Sequence, residues 1–131
     1  MRMPRTWTFH SSGQLVFGPD AIRQIGPLAA RLPARRVLIV TDKILTRIGL
    51  AGRIKESLLQ NIDAACLFDE GEPEPSFEAA ARCQAMAESF RPDALIGLGG
   101  GSNMDLAKIT ATVLAHGGAP GDYLGEDKVP G

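Results

Sequence analysis

The stretch Ala94-Leu95-Ile96-Gly97-Leu98-Gly99-Gly100-Gly101-Ser102-Asn103-Met104-Asp105-Leu106-Ala107-Lys108 decides the fold. Its first five residues form an apolar run that reads as a buried strand, and Asn103 to His116 reads as a helix. Three glycines between a strand and a helix let the main chain approach a ligand closely, because no Cβ stands in the way. The free N–H groups and the dipole of the first helical turn then favour an anion, and a phosphate is the natural occupant. Ser102 is a good N-cap, and Asp105 three residues on completes an S-x-x-D pattern like a capping box. A carboxylate beside a phosphate would repel it. Asp105 escapes that conflict by bonding back to Ser102, by pairing with Lys108, or by facing a ribose. The bland alternative is a glycine turn and a well-capped helix with no ligand.

Working outward, strand and helix patterns alternate. Arg36 to Thr41 is wholly apolar within, as expected of a strand covered on both faces. Leu50 to Asn61 places Leu50, Ile54 and Leu58 along one side of a helix, with Arg53, Lys55, Glu56 and Gln60 facing water. Ala64 to Phe68 is the next strand. After the proline-punctuated loop Asp69–Pro75, Ser76 caps a helix reaching Phe90, with Phe77, Ala80, Ala81 and Ala85 expected to face inward. Asp20 to Leu32 is a further helix candidate, expected to kink or restart at Gly26-Pro27. Thr6–Phe9 and Gln14–Phe17 around Ser11-Ser12-Gly13 read as an edge hairpin. Residues 117–131 read as a Gly/Pro-rich tail without helix or strand. Strands joined through helices imply right-handed crossovers, hence an α/β, doubly wound, Rossmann-like parallel sheet in one domain over 1–131.

Ligands of such folds bind beyond the carboxyl ends of the strands. Asp42, the acidic loop and Gly99–Ser102 all fall at those ends. An acid at the end of an apolar strand can accept hydrogen bonds from both hydroxyls of an adenine ribose and repel a 2′-phosphate, which favours NAD over NADP. The alternative is a helix N-cap for Lys43 onward. Asp42 precedes the glycines, whereas the common dinucleotide fingerprint places its acid about 20 residues after them. Glu70, Glu72 and Glu74 look ill-suited to an anionic ligand unless their side chains turn away.

Other chemistry finds little support. The chain of 131 residues is 44% hydrophobic and 22% charged, which suits one globular domain. A net charge of −1 offers nothing to nucleic acid or an anionic membrane. No apolar run approaches the roughly 20 residues of a bilayer span, and Met1–His10 lacks a signal-peptide core, so a cytoplasmic place is expected. Cys66 and Cys83 read as buried free thiols. His10 and His116 form no metal cluster, and no nucleophile–base pair is evident. The last helix carries two apolar stripes, Met104/Ala107/Ala111/Leu114 and Leu106/Ile109/Val113. One sheet face covers only one of them, so a missing domain or a homo-oligomer partner is expected over the other, a fully buried interior helix being the plainer reading.

The run GGGSNMDLAK also resembles the G-G-G-S-x-x-D-x-A-K fingerprint of the iron-containing (group III) alcohol dehydrogenases, relatives of glycerol dehydrogenase and dehydroquinate synthase. Phe17-Gly18, Val37–Asp42 and Pro73-Glu74-Pro75-Ser76 fall in the order of further family segments, the last in place of the usual P-N-P-T. Glu74 departs from the family's asparagine and is not carried over as a site residue. The resemblance implies an NAD-binding portion, with Gly99, Gly100, Gly101 and Ser102 on the pyrophosphate. Asn103, Met104 and Asp105 would line the cofactor, and Asp42 would hold the adenine ribose. It implies that the chain is the N-terminal part of a longer enzyme that moves hydride between a small alcohol or aldehyde and nicotinamide. A divalent metal (iron or zinc) would be held by later residues, and residues 1–131 alone would be inactive. A dehydroquinate-synthase-like lyase domain and a non-catalytic nucleotide-binding module are the alternatives.

Overall fold

A strand built from Val, Leu and Ile without a polar break is stable only when both its faces are covered. In the computed structural model, which describes residues 13–125 and 127–130, that strand is β1 (Arg36–Val40), and Val37 to Val40 are buried. It lies between β2 (Ala64–Phe68) and β3 (Ala94–Gly97), parallel to both, in the order β2-β1-β3. Leu38 is in register with Cys66 on one side and Leu95 on the other.

Alternation along β1 feeds two cores. Val37 and Ile39 pack with Ala29, Ile54 and Leu58, which lie on α1 (Ile25–Arg31) and α3 (Leu50–Leu59). Leu38 and Val40 pack with Ala80, Cys83, Ala87, Leu106 and Ala107, which lie on α4 (Phe77–Phe90) and α5 (Gly101–His116). The α/β, doubly wound, parallel arrangement is therefore as expected. At the amino end of the sheet, the Asp93 carboxylate accepts from the backbone N–H groups of Arg35 (2.9 Å) and Arg36 (2.8 Å). Those bonds, Arg35's foremost, hold its carboxyl below the usual carboxylate range. The Arg36 guanidinium lies 4.5 Å from the Phe90 ring centroid.

Several local expectations are corrected. The break in the first helical segment comes before Gly26-Pro27: a 3-10 turn over Ala21–Gln24 gives way to α1 at Ile25. Pro27 is thus the third residue of α1, in the turn whose N–H groups need no intrahelical partner. A short helix, α2 (Lys43–Arg47), follows Asp42 directly. On α4 the inward residues are Ala79, Ala80, Cys83 and Ala87, whereas Phe77 is 58% exposed and Ala81 and Ala85 face solvent. Alanines on several sides of that helix leave no clear period to read.

The second stripe of α5 is covered within the chain. Leu106 packs in one core with Cys83 and Ala87 of α4, and the Thr110 hydroxyl donates to Cys83 Sγ at 3.3 Å. Contacts within the chain thus bury Leu106 and Val113, as the interior-helix reading has it, while Met104 is 45% exposed rather than inward. The tail holds a 3-10 turn, Pro120–Tyr123, tied back by Tyr123 Oη to the Gly117 carbonyl at 2.6 Å. Thr6–Phe9 of the expected hairpin lie outside the described residues. Gln14–Phe17 are not assigned to a strand among the described ones.

Candidate nucleotide-binding cleft

The carboxyl ends of all three strands open onto one cleft of about 640 Å³. Asp42 and Lys43 line it from the β1 side, Glu70 to Pro73 from the β2–α4 loop, and Gly100, Ser102 and Asn103 from the start of α5. The convergence expected from the sequence is thus present in space.

The start of α5 differs in detail from the capping-box expectation. The helix begins at Gly101 with Gly100 as N-cap in extended conformation, and no side chain caps it. Ser102 is already inside the first turn, and its hydroxyl donates to the Pro73 carbonyl across the cleft. Asp105 takes the second of its three exits and pairs with Lys108 at 3.5 Å, with both side chains solvated. The first intrahelical bond runs from Met104 N to Gly100 O (3.2 Å), so the N–H groups of Gly101, Ser102 and Asn103 have no partner one turn back.

The glycines serve different ends. A Cβ on Gly100 or Gly101 would meet no atom within 4 Å. Gly99 has a φ of +131°, and a Cβ there would collide with Asn103 Nδ2. Gly97 was not singled out by sequence reasoning, yet its Cβ would stand 2.8 Å from Met104 Cα, so it sets how closely α5 lies on β3. Gly71 behaves likewise in the acidic loop. A Cβ there would overlap Asn103 Oδ1 and stand 2.5 Å from the Thr41 carbonyl oxygen.

Asp42 fulfils the helix-cap reading while facing the cleft. One carboxylate oxygen accepts from Leu45 N (2.9 Å) as the N-cap of α2, and the other accepts from Asn103 Nδ2 (2.8 Å). These bonds, Leu45's first and Asn103's second, hold the carboxyl below its ordinary range. Each oxygen keeps a second lone pair for another donor. Asn103 is only 4% exposed, and its Nδ2 also donates to the Leu98 carbonyl at 2.9 Å.

Arg82, on α4, offsets part of the charge of the acidic loop and was missed by sequence reasoning. Its guanidinium lies 2.5 Å from Glu70 and 3.8 Å from Glu72, in the wall of the cleft. Twelve residues separate Arg82 from Glu70, so only the helix's return to the sheet reveals the pairing. Glu74 is exposed and does not line the cleft.

The sequence profile of iron-containing alcohol dehydrogenases matches residues 12–131. The chain belongs to this family. It is 35% identical over 120 residues to long-chain-alcohol dehydrogenase 1 of Geobacillus thermodenitrificans, covering 87% of this chain and 30% of that protein. It is 31% identical over 115 residues to the NAD-dependent methanol dehydrogenase of Bacillus methanolicus, with the same coverage, 87% and 30%. An iron-containing alcohol dehydrogenase structure from Thermotoga maritima superposes with a TM-score of 0.82 at 26% identity, covering 96% of this chain and 35% of that one. The chain therefore spans about 30% of the length of these curated relatives.

Iron-containing alcohol dehydrogenases take their name from a metal, but no three His, Cys, Asp or Glu side chains come together to hold one among the described residues. His116 is exposed at the last turn of α5, and His10 lies outside the described residues. The described residues do not fit a metal centre. No helix among the described residues is long and apolar enough to cross a membrane.

Proposed function

We propose that the cleft is an NAD site and that this chain supplies the nucleotide-binding part of an alcohol dehydrogenase, which moves hydride between a small alcohol or aldehyde and nicotinamide C4. In this reading the diphosphate lies on the free N–H groups of Gly101, Ser102 and Asn103. The helix dipole and the absence of side chains at Gly100 and Gly101 serve it there. Asp42 accepts from the adenine-ribose hydroxyls and repels a 2′-phosphate, so NAD is preferred to NADP. Arg82 offsets one of the two negative charges of Glu70 and Glu72, which oppose an anion. Met104 and Asp105, which the family resemblance sets along the cofactor, are exposed residues of the first turns of α5. The chain's own part in the chemistry is to hold the dinucleotide, and residues 1–131 alone turn over no alcohol. Measurable NAD reduction by this chain with any alcohol would sink that last statement.

One observation carries the reading: Gly100 borders a cleft at the carboxyl ends of the sheet, and an added Cβ there meets no protein atom within 4 Å. A Gly100→Val protein has room to fold, since the φ of −76° at this residue suits any side chain. Its isopropyl group would stand where the diphosphate is placed. Calorimetry should show saturable NADH binding by the native chain and at least a roughly tenfold weaker affinity in the variant, the equivalent of one good hydrogen bond to a charged group. Equal affinity in the two proteins, or no heat in either, would remove the proposal.

A further inference from the structure

The amide of Asn103 is buried and held by two hydrogen bonds at the cleft. Its Nδ2 has two N–H bonds, and both are spent, one on Asp42 at 2.8 Å and one on the Leu98 carbonyl at 2.9 Å. Both partners are pure acceptors, so the amide has only one possible orientation. Two glycines from different loops make the slot around it. A Cβ on Gly99 would overlap Nδ2, and a Cβ on Gly71 would overlap Oδ1. Glutamine would be too long for that slot, and aspartate could not donate twice.

An amide with no free N–H cannot itself donate to a ligand. Its influence on the cleft runs through Asp42. With Leu45 N alone, the Asp42 carboxylate could swing about its last torsion. The second bond, from an element 61 residues away, pins the other oxygen. The carboxylate then meets a ligand with its orientation already set, and the entropy of fixing it is not charged to binding.

We propose that Asn103 is the positioning residue of the adenine-ribose subsite, fixing Asp42 so that its remaining lone pairs read an unmodified ribose diol. This rests on the dinucleotide reading above. The test is the ratio of affinities for NADH and for the analogue lacking the adenosine 2′-hydroxyl, measured by calorimetry on the intact chain. The native protein prefers NADH by at least about tenfold, the value of one charge-assisted hydrogen bond. In Asn103→Ala and Asn103→Ser that preference falls below about threefold, whatever the common loss of affinity for the two ligands. A purely structural role would weaken both ligands together and leave the ratio unchanged, and that result overturns the proposal. Independently of any variant, a crystal of the native chain with NADH should keep the Asn103–Asp42 bond while Asp42 accepts from the ribose. A broken bond in that complex overturns it as well. If the native chain binds no dinucleotide, the site reading fails and this inference with it. Binding with an unchanged ratio defeats this inference alone.

Discussion

Exchanging Asn103 for aspartate changes one polar group and almost no volume, so its effect isolates the electrostatics of the amide bridge. The donor that lies 2.8 Å from an Asp42 oxygen would become a second carboxylate oxygen. Two unit charges at 2.8 Å repel by about 6 kcal/mol at an effective dielectric near 20. Keeping a proton at pH 7 on a carboxyl that ordinarily releases it near 3.9 costs about 4 kcal/mol. The second cost is smaller, so the folded pair takes up one proton and shares it. The Leu98 carbonyl also loses its donor, which adds about 1 kcal/mol that does not depend on pH.

The sign of the pH dependence follows. The folded variant binds one more proton than the unfolded chain between about pH 4 and 7, so its unfolding free energy falls by about 1.4 kcal/mol per pH unit there. Relative to native, the expected deficit grows from about 1–2 kcal/mol near pH 4.5 to about 4–5 kcal/mol at pH 7. Urea unfolding at several pH values measures it. Asn103→Ala is the control, with a deficit of about 2 kcal/mol and no comparable slope over that range. A flat deficit in the aspartate variant, equal to that of alanine, would show that the amide does not face Asp42, and the geometry argued above would be wrong.

Three further outcomes are expected. Gly71→Ala pushes a methyl group to 2.5 Å from the Thr41 carbonyl oxygen and should cost about 1–3 kcal/mol in urea unfolding; an unchanged midpoint would refute the close approach. Ser76→Ala removes the N-cap bond to Ala79 N (3.2 Å) and should cost about 1 kcal/mol, with hydrogen exchange rising first in the amino-terminal turn of α4. Asp93 has its carboxyl held low by the Arg35 and Arg36 N–H groups, so its contribution is present above about pH 3.9 and is lost as pH falls through its folded value. The stability gap between native and Asp93→Ala should therefore close as solutions are acidified below about pH 3.9, and a constant gap would contradict that role.

Local pattern was enough for much of this chain. The Val-Leu-Ile run of β1, the Leu50/Ile54/Leu58 spacing of α3 and Ser76 at the head of α4 are short-range signals, and each element formed where its residues indicated. Reading failed where the signal was degenerate. Ser102 fits a cap as well as a first-turn position, and the unhindered main chain of Gly100 and Gly101 let α5 start earlier. Alanine faces on α4 are interchangeable until Cys83 meets Thr110 of the neighbouring helix.

By itself, the order of residues determined that strands alternate with helices, that the sheet is parallel, and that a glycine turn opens a helix at its carboxyl edge. Those properties depend on spacing along the chain, with periods of two and 3.6 residues. Only the tertiary structure decided that Gly71 and Gly99 make room for Asn103, that Asn103 holds Asp42, and that Arg82 quiets the acidic loop. These are contacts between groups 4 to 61 positions apart, brought together when two hydrophobic cores close on either side of β1. Hydrogen-bond direction and charge pairing at the cleft are consequences of that closure, and no local pattern encodes them.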